Sequence, residues 1–168
     1  DFHKNVSGML RTIAKLKELR NDFELLIISD GDLEPHRGLC NELQLNDVVF
    51  FEEEQPIAEI GKKMGQSDLF LLFSNFENLP CVIIEALSAG LPVVSTDVGG
   101  IPEMLDASNG IMVKPNDEAA LLESINTVLD DRSYDKKSIS KKAQEKYSIE
   151  AISSQLLGIY NEVISEVK

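Results

Sequence analysis

The sequence predicts an α/β layer sandwich built on a parallel sheet, and three observations predict it. Short runs such as Val48–Phe51 and Leu69–Phe73 are apolar at every position, without the alternation of a half-exposed strand. Segments with apolar residues at helical spacing lie between those runs. The whole is 168 residues without internal repeat or low-complexity stretch, the size of one domain with a real core. Continuously apolar strands alternating with helices imply a sheet covered on both faces. The expected architecture is therefore Rossmann-like, with ligands at the carboxyl ends of the strands, where strand order switches.

The elements follow in order. From Val6 to Arg20, apolar residues at Val6, Met9, Leu10, Ile13 and Leu16 keep helical spacing. Phe23 to Ile28 reads as a buried strand closed by Ser29-Asp30-Gly31-Asp32, and Glu34 to Leu43 as a helix. Val48–Phe51 is the next strand, followed by the acidic loop Glu52-Glu53-Glu54, a short helix from Ile57 to Met64, and the strand Leu69–Phe73. Cys81 to Ala89 reads as a helix, with Pro80 at a first-turn position and Gly90 as its stop. Pro92 to Ser95 is a strand ended by Gly99-Gly100, and Ile111–Val113 a last short strand. Asp117 to Leu129 is a helix with acid in its first turn. Ser148 is placed to cap a final helix carrying Ile152, Leu156, Tyr160, Val163 and Ile164 on one face. The polar stretch from Asp130 to Lys146 fits helix and loop equally.

Composition excludes some partners. Sixteen basic residues against 29 acidic ones give a net charge of −13. Nucleic acid needs a basic footprint, and an anionic membrane surface needs one too. No window approaches eighteen consecutive apolar residues, so any membrane contact is expected only through a domain outside this sequence. Cys40 and Cys81 have no paired spacing and read as reduced thiols of a cytoplasmic protein. His3 and His36 lack metal-ligand spacing, and no metal site is expected.

The chemistry concentrates in Ser74-Asn75-Phe76-Glu77-Asn78-Leu79-Pro80-Cys81-Val82-Ile83-Ile84-Glu85-Ala86, which runs off a buried strand straight into a helix. Free amides near Asn78, Leu79 and Cys81 crown that helix, where a phosphate or sugar hydroxyl is well received. The helix is apolar nearly all round, which predicts burial, and only Cys81, Glu85 and Ser88 break the pattern. A carboxylate there is costly unless paired or facing a polar ligand. Side chains lean toward the helix N-terminus, so Glu85 should reach toward the crevice that Glu77 also lines. Two acceptor carboxylates suit a ligand rich in hydroxyls. The alternative is that Glu77 caps the loop and Glu85 pairs with a buried amide.

The spacing Glu77-x7-Glu85, continued as Ala86-Leu87-Ser88-Ala89-Gly90-Leu91-Pro92-Val93-Val94 and Gly99-Gly100-Ile101-Pro102-Glu103, resembles the signature of the retaining glycosyltransferases of family 4. Those enzymes have the two-domain GT-B fold, and the resemblance extends from about Asp1 to Leu129. It implies that this sequence is the C-terminal, sugar-nucleotide-binding domain of a hexosyltransferase in glycoconjugate or polysaccharide synthesis. By that resemblance Glu77 contacts the hydroxyls of the transferred sugar and is the catalytic carboxylate. Asn78 and Leu79 follow it around the sugar and diphosphate, and Glu85 holds the ribose hydroxyls. Lys4 matches a lysine that pairs with the donor diphosphate; the alternative is a solvated lysine. Asp30 and Gly31 match a Gly-Asp-Gly turn near the nucleotide. Gly99 and Gly100 fit either the pocket or a simple tight turn. The donor is expected to be a UDP- or GDP-sugar, used without metal or other cofactor.

The sequence departs from the family pattern in three places. An arginine usual a few residues upstream of the lysine would fall before Asp1. The acceptor-binding domain, which comes first in such enzymes, is expected to be missing from this chain, leaving it inactive alone. Glu52 stands where the family often keeps a glycine near the base. A sugar-nucleotide epimerase half and a non-catalytic sugar-nucleotide-binding domain are the rival readings.

Overall fold

A computed structural model describes residues 3–131 and 133–166. Asp1 and Phe2, the first positions of the family resemblance, lie outside the described residues. The elements run α1 (Val6–Leu19), β1 (Leu25–Ile28), α2 (Glu34–Glu42), β2 (Val49–Glu52), α3 (Ile57–Gln66), β3 (Phe70–Leu72) and α4 (Cys81–Ser88). They continue with β4 (Val93–Thr96), a 3-10 turn (Ile101–Glu103), β5 (Gly110–Val113), α5 (Glu118–Asp130), α6 (Lys136–Tyr147) and α7 (Ile149–Glu166).

Every ladder is parallel, as apolar strands joined by helices require. β1 pairs with β2, setting Leu25 opposite Val49 and Ile28 opposite Glu52. β4 is the centre of the order β3-β4-β5, with Val93 opposite both Phe70 and Gly110. One continuous sheet is the natural expectation from sequence, and here the structure differs. Among the described residues no ladder joins β1 to β3; the two ribbons instead flank an open cleft of about 1430 Å³. Periodicity tells which strands are buried and not which strands pair, so the break leaves no mark in the pattern.

Two cores sit on opposite faces. Met9, Leu10, Ile13 and Leu16 of α1 pack with α5 residues Leu121, Ile125 and Val128 around Phe73 and Val94. Ile83, Ala86 and Leu87 of α4 pack with Met64, Ile139 and Ala143 around Val93. Adjacent residues Val93 and Val94 thus serve opposite cores, and each is fully buried. Burying one such side chain is worth ~1.5–3 kcal/mol.

The polar stretch before the last helix resolves into α6, capped by Asp135, whose side chain accepts from the Lys137 amide. Only Ile139 and Ala143 of α6 are buried, too few apolar positions to give a periodic signal. Ser148 caps α7 as expected, its hydroxyl accepting from the Ala151 amide at 3.2 Å. The face of α7 carrying Leu156, Tyr160 and Val163 is about half to two-thirds exposed. No helix among the described residues is long and apolar enough to cross a membrane.

Candidate functional site

The site grows from the carboxyl end of β3. Thr96 Oγ1 donates to the Ser74 carbonyl at 2.6 Å, and Ser95 Oγ to the Leu72 carbonyl at 2.9 Å. These buried hydroxyls, both satisfied, tie the end of β3 to β4 and fix where the loop of residues 74–80 departs. From the other side the Asn75 amide donates to the His3 carbonyl at 2.7 Å, and the His3 ring meets Phe76 edge-on with centroids 6.1 Å apart. The Gly100 amide donates to the Asn78 carbonyl at 2.6 Å. Gly99 has φ of +57°, and a Cβ there would strike the Glu77 carbonyl. The glycine pair is thus required by close backbone approach to the loop of residues 74–80, which accords with the tight-turn alternative.

Glu77 is 9% exposed. Its Oε1 accepts from Lys4 Nζ at 2.6 Å and from Ser74 Oγ at 2.7 Å. Lys4 is more than half exposed, so this is a buried carboxylate reached by a cation from the solvent side. One Lys4 N–H is used, leaving two. Both recorded bonds to Glu77 fall on Oε1.

Lys4 also lines the mouth of the cleft between the ribbons, together with Ser29, Asp30 and Glu85. The structure therefore joins Lys4 to Glu77 directly, and brings Lys4, Asp30 and Glu85 to one cavity. Asn78 and Leu79 lie exposed on the loop outside it, and Gly31 is an exposed turn residue whose amide donates to Ser29 Oγ at 3.1 Å.

Three expectations are corrected. Burial of α4 all round does not hold: Ile83, Ala86 and Leu87 are buried while Cys81 and Glu85 are exposed. Glu85 consequently faces solvent at the cleft, and the cost of burying a charge is not what accounts for it. Pro80 is the N-cap residue, with φ −73° and ψ 106°, and not the first residue of the helix turn. No side chain caps α4, although the Ile83 amide donates to the Pro80 carbonyl at 3.0 Å. Cys81 is exposed, whereas Cys40 is buried and its thiol is pushed up by that burial.

Sequence reading placed Ser74 in the site stretch without its role, which is to orient Glu77, and missed Lys63, which pairs with Glu52 at 2.8 Å. Ser74 had a signal, since a hydroxyl at a strand end beside the site loop is placed to bond. Lys63 had none. Among the described residues no three His, Cys, Asp or Glu side chains gather as a metal-binding group.

A family profile described as "Glycosyl transferases group 1" matches residues 1–146. The chain belongs to the glycosyl transferases group 1 family. Within reach of this family, the chain is 28% identical to N-acetyl-alpha-D-glucosaminyl L-malate synthase of Bacillus anthracis, an alignment covering 98% of the chain and 44% of that protein. It is 31% identical to the amylovoran biosynthesis glycosyltransferase AmsK of Erwinia amylovora, over 73% of the chain and 32% of that protein. The fold superposes on Anabaena HepE, solved in complex with UDP, with a TM-score of 0.83 at 21% identity, covering 95% of this chain and 45% of that one. The chain thus spans less than half the length of the group 1 relatives it matches.

Proposed function

We propose that this chain is the donor-binding half of a retaining, family 4 glycosyltransferase that moves a hexose from a UDP- or GDP-sugar to an acceptor in glycoconjugate or polysaccharide synthesis. The single observation that carries the reading is the Lys4–Glu77 pair at the mouth of a cleft that Asp30 and Glu85 also line. It puts one cation and three carboxylates, those of Glu77, Asp30 and Glu85, near the carboxyl ends of parallel strands, where α/β folds take their ligands.

In this reading Ser74 and Lys4 hold Oε1 of Glu77, and Oε2 accepts from a hydroxyl of the transferred sugar. Lys4 directs its remaining N–H groups at the diphosphate, assisted by the start of α4, which no side chain caps. Glu85 accepts from the ribose hydroxyls, and the turn at Asp30 and Gly31 borders the nucleotide. The anomeric C–O bond to phosphate breaks as the acceptor oxygen bonds to the same face, and the acceptor proton passes to the departing phosphate. No metal takes part. The acceptor domain belongs to the rest of a longer polypeptide, so the chain alone transfers nothing. Two free thiols accord with a cytoplasmic setting. Membership in a transferase family favours this reading over an epimerase half.

Calorimetric titration with UDP, GDP and their hexose conjugates tests it. The expected result is weak binding, at best roughly millimolar to tens of micromolar, that disappears in Glu85→Ala. Silence from both this chain and the full-length protein would overturn the donor pocket. Binding by the full-length protein with no turnover in any acceptor extract would instead favour a non-catalytic binding domain.

A further inference from the structure

Ser74 uses its hydroxyl proton differently from its buried neighbours. The buried hydroxyls of Thr12, Ser95 and Thr96 donate to backbone carbonyls, those of Gly8, Leu72 and Ser74. Ser74 is equally buried, yet its Oγ donates to a side chain, Glu77 Oε1 at 2.7 Å. A hydroxyl has one proton to give, so that proton goes to the carboxylate and not to the backbone.

Behind Ser74 stands Thr96, the last residue of β4, which is the central strand of the order β3-β4-β5. Thr96 lies opposite Val113 of β5, and the Asp97 amide donates to the Val113 carbonyl at 2.8 Å, so the strand is still paired as it leaves Thr96. Threonine is β-branched and stiff at its first side-chain torsion. Its Oγ1 donates to the Ser74 carbonyl at 2.6 Å. A rigid strand thus reaches one carboxylate oxygen through two hydroxyls, Thr96 to Ser74 and Ser74 to Glu77. All three side chains are buried, and in such surroundings a satisfied hydrogen bond is stronger than in water.

Lys4 holds the same oxygen at 2.6 Å and is more than half exposed. A lysine on its flexible stem can turn its charge toward an incoming anion. A buried serine tied to β4 cannot follow it. Ser74 is then the group that keeps Oε1 occupied and leaves Oε2 to a ligand.

We propose that Thr96 and Ser74 are positioning residues that hold Glu77 for the sugar of the donor, so that they set affinity for the sugar and not for the nucleoside diphosphate. The inference rests on the donor-site reading above. It divides that site into two separable parts, with Lys4 answering to the diphosphate and the two buried hydroxyls to the sugar.

Calorimetry on the full-length protein tests the division, using UDP, UDP-glucose, GDP and GDP-mannose with Ser74→Ala, Thr96→Val and Thr96→Ser. Free nucleotide is expected to bind every variant within about twofold of the unaltered protein. The sugar conjugate is expected to bind Ser74→Ala and Thr96→Val roughly tenfold more weakly, the effect of one lost hydrogen bond to a charged group. Thr96→Ser keeps the hydroxyl and should restore that affinity. A second measurement needs no ligand. The carboxyl-carbon resonance of Glu77, identified by its loss in Glu77→Gln, should move in Ser74→Ala and Thr96→Val and stay in place in Thr96→Ser. Should Thr96→Val fail to fold, Ser74→Ala removes only a hydroxyl and decides both measurements. Conjugate affinity unchanged in Ser74→Ala, or a Glu77 resonance unmoved in a folded Thr96→Val, would overturn the proposal. Equal losses of nucleotide and conjugate would also overturn it, making the two hydroxyls supports of the whole loop. Silence of the unaltered protein toward all four probes would remove the donor reading and the sugar role with it. Nucleotide binding that disappears in Glu85→Ala, beside a Ser74→Ala that changes nothing, would remove this inference alone.

Discussion

At Gly99 a single missing atom holds the site loop in place. The residue has φ of +57°, and the Glu77 and Asn78 carbonyls occupy the space where a Cβ would go. Both partners are backbone, so neither can swing aside. Gly99→Ala combines the left-handed penalty of a non-glycine residue with overpacking, about 2–4 kcal/mol together. Urea unfolding should register that loss, and a change under about 0.5 kcal/mol, the ordinary surface range, would mean that the 74–80 loop does not rest on this turn. The sequence made Gly99-Gly100 visible as a turn and left its purpose open, because the close approach joins segments about twenty residues apart. Glu77 and Glu85 were legible as carboxylates bracketing a helix start. The Lys4–Glu77 contact was not, since |i−j| is 73 and only the folded chain brings the two together.

Among the elements, α7 differs from the other long helices in burying no side chain among those described. α1 and α5 pack against each other and the sheet, and α6 lays Ile139 and Ala143 on the α4 core. α7 touches the body chiefly through α6. Its cap at Ser148 and its apolar stripe were both readable, because cap chemistry and a 3.6-residue period are local. Whether a stripe is covered is not local, and the sequence gives no account of the exposed face. Removing residues 149–168 is expected to cost less than about 1 kcal/mol, since little apolar area returns to water. A fall of several kcal/mol in urea unfolding would place α7 in the core of the folded unit. The same reasoning explains α4: its apolar composition marked a buried helix, while the exposure of Glu85 depends on a cleft the sequence pattern cannot report.

For the molecule as a whole, the net charge of −13 and the distribution of its carboxylates set how stability responds to acid. Hydrogen bonds from Arg20 and Lys17 hold Asp22 and Asp47 below the usual carboxylate range, and Ser108 and Ser133 do the same for Asp106 and Asp131. A group whose folded value is depressed stabilises the protein above its unfolded value, near pH 4, and loses that contribution as pH falls through the folded one. Against this, protonating unpaired carboxylates relieves like-charge repulsion, which acts over the whole surface and is screened by salt. The two effects occupy different windows. Relief comes first, between about pH 6 and pH 4.5, as ordinary carboxylates begin to take protons. Loss follows below about pH 4, where the unfolded chain binds protons that Asp22, Asp47, Asp106 and Asp131 still refuse. Urea unfolding at pH 7, 5 and 3 should therefore show stability level or slightly rising to pH 5 and clearly lower at pH 3. Added salt should raise it most at pH 7, where the repulsion is greatest. Stability at pH 3 equal to that at pH 5 would mean that these carboxylate bonds are as well formed in the unfolded chain as in the fold.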